Sequence, residues 1–159
     1  MPVIKFYRIL LSFLAILVPM SVGYANQNET VPKSILILNS FALGFPWTAR
    51  QVDGLKAGLR DTDLNINLIV EDMDTIRRGK PFDPAFFADY LKWRLSGRDL
   101  DLIVTTDNAA LKFVAENYDE LFRDVPIVFS DADGVDVIDF PPEVAVTGVT
   151  EFTDFKATL

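Results

Sequence analysis

Ile35 to Leu38 is an unbroken apolar run that stops at Asn39-Ser40. It leads, through a loop carrying Phe41, Phe45 and Trp47, into a segment with helical apolar spacing. This alternation of short apolar run, polar stop and amphipathic segment continues along the chain, and it restricts the fold more than any other feature. Strands are expected at Ser34 to Asn39, Leu64 to Glu71, Leu100 to Thr105, Val125 to Ser130 and Val144 to Val149. Between them, Thr48 to Arg60 sets Ala49, Val52, Leu55 and Leu59 on one stripe, and Thr48 and Gln51 have the spacing of a capping box. Asp83-Pro84 reads as an N-cap followed by proline at the first helical position. The helix it opens is expected to turn Phe86, Phe87, Tyr90, Leu91 and Leu95 toward the core. Asn108 to Phe122 is expected as one helix with Ala110, Phe113, Val114, Tyr118 and Leu121 on its apolar face. Strands that are apolar on both faces must be covered on both faces. The pattern therefore predicts an α/β fold of three layers, a parallel sheet of about five strands with helices on each side.

The 159 residues suffice for one domain, and half of them are apolar, so a core can form. The net charge of -8 opposes binding to nucleic acid, whose phosphates call for a basic face. The chain has no histidine and no cysteine. Disulfides, thiolate nucleophiles, Ser-His-Asp machinery and nearly all zinc sites are thereby excluded. No catalytic activity, no cofactor and no metal are expected, and a carboxylate-dependent enzyme is the distant alternative.

Residues 1–25 differ from the rest. Lys5 and Arg8 precede an apolar stretch from Ile9 to Val18, Pro19 breaks it, and Gly23 and Ala25 stand where a signal peptidase wants small residues. A cleaved signal peptide and an uncleaved signal anchor both fit. Both put the remainder outside the cytoplasmic membrane, so the expected location is periplasmic, with membrane contact through the N-terminal segment alone. Residues 26–33 are polar, contain Pro32 and read as a linker; 34–149 form the expected ligand-binding lobe.

In parallel α/β sheets ligands bind beyond the carboxyl ends of the strands. Those ends here are Asn39-Ser40, Glu71-Asp72, Thr105 to Asn108 and Ser130-Asp131. The loop after the first strand has Gly44 as its one glycine, too few for a phosphate cradle. Phe41, Phe45 and Trp47 either cover the sheet edge or form a stacking wall for a planar ligand. Thr106, Asp107 and Asn108 serve as helix cap, ligand contact or both. Asp131 and Asp133, spaced by two, lack the further oxygen ligands of a calcium loop. Arg77-Arg78-Gly79-Lys80 is a basic cluster in an acidic chain and reads as a solvated loop.

Four stretches, "ILILNSFALGFPWTARQVDGL", "VEDMDTIR", "DLIVTTDNAALKFVAENYDELFRDVPIVFS" and "VTGVTEFTDFKATL", resemble the ABC-transporter substrate-binding-like family. That family has the type 1 periplasmic-binding-protein fold and is also found as the extracytoplasmic input domain of bacterial sensor histidine kinases and diguanylate cyclases. The resemblance covers Lys33 to the last residue. It departs at Ser130-Asp131, where the family commonly has Cys-Gly. It implies a small-molecule ligand held by Asn39, Ser40, Phe41 and Trp47 on one wall, Asp72 and Asp74 on a second, and Asp107, Asn108 and Asp131 on a third. It further implies a second lobe as partner, with residues 150–159 as the start of the hinge. Downstream it implies a kinase or cyclase for a sensor, or an ABC permease for the alternative, a transport substrate-binding protein. A truncated fragment, an incomplete gene and a one-lobe protein all fit a chain that carries only the family's first lobe; as a fragment, it is expected to leave apolar surface near the fifth strand uncovered and to self-associate or be marginally stable.

If the leader is cleaved, the exported protein begins at Asn26. N-terminal sequencing of the periplasmic fraction should read Asn-Gln-Asn-Glu, whereas material that still starts at Met1 identifies the anchor.

Overall fold

The computed structural model describes residues 31–76, 82–134 and 138–151. The expected signal peptide, the basic cluster from Arg77 to Lys80 and the stretch after Glu151 lie outside the described residues. Five strands form one sheet in the order β2-β1-β3-β4-β5, and every pairing is parallel. They are β1 (Lys33–Asn39), β2 (Ile66–Asp72), β3 (Leu102–Thr106), β4 (Ile127–Ala132) and β5 (Val146–Thr150). The helices are α1 (Pro46–Arg60), α2 (Pro84–Arg94) and α3 (Asp107–Glu116), the last followed by a π-helical turn over Tyr118–Phe122. The expected three-layer α/β architecture is present.

The unbroken run of β1 is explained by its position, paired with β2 on one side and β3 on the other. Leu36 and Leu38 point to the larger core, with Phe87 and Leu91 of α2 and Ala110, Leu111, Phe113 and Val114 of α3. Ile35 and Ile37 point to the opposite face, where Val52 of α1 meets Val104 of β3. A strand with a core on each face has no use for a polar residue until it ends.

Local expectations were met where the signal was chemical. Asp83 caps α2, its carboxylate accepting from the amides of Ala85 (3.1 Å) and Phe86 (3.2 Å), with Pro84 at the first turn. Three expectations are corrected. The helix α1 starts at Pro46, with Phe45 at the N-cap, so Thr48 and Gln51 form no capping box; Thr48 is fully buried in the first turn. Phe86 is 66% exposed and does not face the core, because it lies about 100° around the helix from Phe87. The segment Asn108 to Phe122 is not one regular helix. A π-helical turn follows Asn117 and advances the phase, so fully buried Phe122 takes the core position expected of Leu121.

Strand β5 is exposed along most of its length and is held to β4 through a register shift between Ser130 and Ala132. Gly148 pairs with Phe129, and a Cβ there would lie 2.1 Å from the Phe129 carbonyl oxygen and 2.5 Å from its ring. Gly148→Ala should therefore push β5 from β4 and destabilise the protein by about 1–3 kcal/mol, the usual cost of overpacking. Chemical denaturation checks this, and an unchanged midpoint would mean that the two strands are not in this contact.

Candidate functional site

The chain leaves four parallel strands at one edge of the sheet, and a hydrogen-bonded knot under that edge positions everything above it. Asn39 and Ser40, at the end of β1, have no exposed surface. The Asn39 amide donates to Asp72 Oδ1 at 2.9 Å, and Thr106 Oγ1 donates to Asn39 Oδ1 at 2.9 Å, so one side chain spans three strand ends. Ser40 Oγ donates to the Thr106 carbonyl at 2.7 Å and accepts the Ala110 amide of α3 at 2.8 Å. The Ser40 carbonyl accepts from Thr75, both from the amide (3.1 Å) and from Oγ1 (3.0 Å). These bonds occupy the polar atoms that the sequence offered as ligand contacts. Asn39 and Ser40 lie beneath the edge and support it.

Asp72 is likewise a support. Its second oxygen accepts the Leu43 amide at 2.9 Å and so ties the aromatic loop to β2. Within that loop the rings of Phe41 and Phe45 are 6.0 Å apart and tilted. Trp47 is not buried between helix and sheet: it is 54% exposed, and its indole nitrogen donates to Asp131 Oδ2 at 2.7 Å. Gln51, one helical turn on, donates to the same oxygen at 2.9 Å. Two donors from α1 thus orient one carboxylate from the end of β4. Asn108 forms a reciprocal pair with Asp133: its amide donates to Asp133 Oδ1, and the Asp133 backbone amide returns a bond to Asn108 Oδ1 at 2.8 Å.

Three aspartates remain above the knot, and each has left-handed backbone: Asp74 after β2 (φ 49°), Asp107 after β3 (φ 63°) and Asp131 at the end of β4 (φ 63°). Aspartate tolerates that region better than most residues; Asp74 and Asp107 use it where the chain leaves β2 and β3, and Asp131 where β4 bulges and shifts register against β5. Among the described residues, Asp74 Oδ1, Asp107 Oδ2 and Gln51 Oε1 are buried without a hydrogen-bond partner. Buried oxygens of this kind call for a donor, from water or a ligand. Burial first, then the charges of Asp131 and Glu151, push the Asp107 carboxyl up to about 6. Among the described residues no cluster of three metal-binding side chains occurs, and no helix is long and apolar enough to cross a membrane.

Sequence reasoning missed Gln51 as part of this edge, and it placed Thr106 at the end of the third strand without giving it its contact with Asn39 there. The i, i+4 spacing of Trp47 and Gln51 was the available signal for the first. Thr106 was seen as a helix cap; it occupies the N-cap of α3 but makes no capping bond with its side chain.

No family model matches the chain, and no curated protein matches it in sequence. In structure it is similar to the ABC domain in complex with L-Trp from Streptococcus pneumonia, with a TM-score of 0.53 and 20% identity. The match covers 76% of this chain and 39% of that one, so this chain spans about two fifths of the neighbour's length. At this identity the likeness is one of fold alone, a parallel five-stranded sheet flanked by helices.

The folded protein holds the Asp107 proton more tightly than an unfolded chain, whose carboxyl has its ordinary value of 3.8. The group therefore favours the fold most below about pH 4, and that contribution is lost as pH rises toward 6. Asp107→Asn should be more stable than the parent at neutral pH, with the difference fading below pH 4. Denaturation midpoints of the two proteins across this range check it, and parallel curves would show that Asp107 is not perturbed.

Proposed function

We propose that this chain is an extracytoplasmic small-molecule-binding lobe, the input part of a bacterial sensor kinase or diguanylate cyclase, and that its ligand carries a cationic group such as an amino acid ammonium. The observation that carries this is the placement of Asp74 and Asp107, each with a buried carboxylate oxygen that has no hydrogen-bond partner among the described residues, at the carboxyl edge of a periplasmic-binding-protein-like sheet. An ammonium supplies three donors and a positive charge, which answers both the missing hydrogen bonds and the mutual repulsion of Asp107, Asp131 and Glu151. Trp47, exposed at the same edge and held by Asp131, offers a face for a planar or apolar side chain. The neighbour's L-Trp has both chemistries.

Asn39, Ser40 and Asp72 act in this scheme as the frame, with Asp74, Asp107 and Asp131 as the recognition groups and Phe41, Trp47 and Asn108 flanking them. Binding proceeds without catalysis, and the N-terminal segment, cleaved as a signal peptide or retained as an anchor, directs the lobe to the periplasm. Delivery of solute to an ABC permease is the second reading, favoured by the neighbour's description as an ABC domain.

An NMR titration of the exported protein with L-tryptophan, other L-amino acids and their N-acetyl forms tests the proposal. Amino acids with a free ammonium should shift resonances around Asp74, Asp107 and Trp47, and N-acetylation should weaken binding at least tenfold. Asp107→Asn should do the same. Absence of shifts with every amine, or equal binding of the acetylated forms, would contradict it.

A further inference from the structure

The opposite margin of the molecule, at β2, is built to pair. β2 is the outermost strand of the sheet. Its odd residues face β1 with their backbone groups: the Asn65 carbonyl accepts the Lys33 amide at 2.8 Å, and the Met73 amide donates to Asn39 at 2.8 Å. The even residues Ile66, Leu68, Val70 and Asp72 therefore present N–H and C=O outward, with no backbone partner among the described residues. Soluble proteins usually protect such an edge with lysine, proline, a bulge or a short strand. β2 has seven residues, no lysine, no proline and an unbroken register with β1. The other edge strand, β5, is protected in this sense by its five-residue length and its register shift against β4.

Both faces of this margin present apolar side chains beyond the sheet. On the α2 side, Phe86 and Trp93 are 66% and 74% exposed, with Tyr90 between them; the Trp93 and Tyr90 rings are 6.3 Å apart. This flank of α2 overhangs β2, because Tyr90 (2.7 Å) and Arg94 (2.9 Å) both donate to Glu71. On the α1 side, a groove of about 550 Å³ runs between α1 and β2, where Leu59, Leu64, Ile66 and Leu68 line it together with polar Asp53, Lys56, Arg60 and Thr62.

We propose that this margin is a homodimer interface in which β2 pairs antiparallel with β2 of a second copy about a two-fold axis through Ile69. Antiparallel pairing needs the outward-facing residues opposite one another, and this axis sets Leu68 against the partner's Val70 and Ile66 against the partner's Asp72. On the α2 face it sets Asn67 against the partner's Glu71, a donor against an acceptor. No acid then stands opposite an acid, whereas an axis at Glu71 would oppose two carboxylates across the strands. The axis is perpendicular to the sheet, so the two α2 helices lie on the same face and their aromatic flanks meet. A single patch that supplies strand edge, aromatic flank and groove to itself is the isologous arrangement expected of a two-fold dimer. The two rings expose about 300 Å² per copy, given roughly 150–250 Å² for a buried aromatic side chain. A standard interface takes about 800 Å² from each partner. With the strand ledge and groove added, the dimer falls at the small end of that class and dissociates on dilution. The inference rests on the sheet margin alone and is independent of the ligand site at the carboxyl edge.

Sedimentation of the exported protein over a concentration series, together with amide hydrogen exchange, tests it. The expected result is a reversible dimer in which the Leu68 and Val70 amides gain protection as concentration rises. Phe86→Glu with Trp93→Glu changes two exposed side chains and should raise the dissociation constant at least tenfold with circular dichroism unchanged. A monomer at every concentration overturns the proposal. So does a dimer whose Leu68 and Val70 amides stay unprotected, or one that the double variant leaves intact.

Discussion

A buried serine hydroxyl holds the structure's functional edge together. Ser40 Oγ bonds at once to β3, through the Thr106 carbonyl, and to α3, through the Ala110 amide. Asn39, the residue before it, bridges Asp72 of β2 and Thr106 of β3. These two adjacent side chains convert the end of β1 into the anchor for both neighbouring strands and for the start of a helix. In a low-dielectric interior each such bond is strong, and each partner would be costly to leave unmatched. The carboxyl edge is therefore rigid below, and the left-handed aspartates above it inherit their positions from that knot.

Much of the architecture was legible because it depends on patterns that act locally. Unbroken apolar runs such as Ile35 to Leu38 announce a strand buried on both faces, and Asp83-Pro84 announces a helix start by its hydrogen-bonding chemistry. The misreadings came where tertiary context chose between equal local options. Thr48 and Gln51 had capping-box spacing, but Pro46 already fixes a helical backbone angle, so the helix begins earlier and Gln51 is free to reach Asp131. The π-helical turn at Tyr118–Phe122 exchanges Leu121 for Phe122 in the core, which a 3.6-residue period cannot register.

The candidate site was legible as a set of strand ends but not as a set of roles. Whether a polar residue at a strand terminus faces a ligand or a neighbouring strand is decided by register. Asn39 is aligned with both Asp72 and Thr106, and so it bonds sideways. The acids just beyond the register, Asp74 and Asp107, keep carboxylate oxygens without partners among the described residues. The same distinction separates two edges of the molecule. The carboxyl edge is polar and acidic, while the β2 margin exposes the apolar side chains of Phe86 and Trp93 and carries outward backbone groups.

The central claim is that a positively charged ligand group sits against Asp107. The most direct measurement is the titration of the Asp107 carboxyl carbon by NMR, with and without a bound amino acid. Free protein should titrate at about 6, as burial and the charges of Asp131 and Glu151 require. A bound ammonium favours the ionised carboxylate, so the midpoint should fall on saturation, and affinity should rise as pH passes upward through that value. A saturating ligand that leaves the Asp107 midpoint in place, or raises it, would contradict the account.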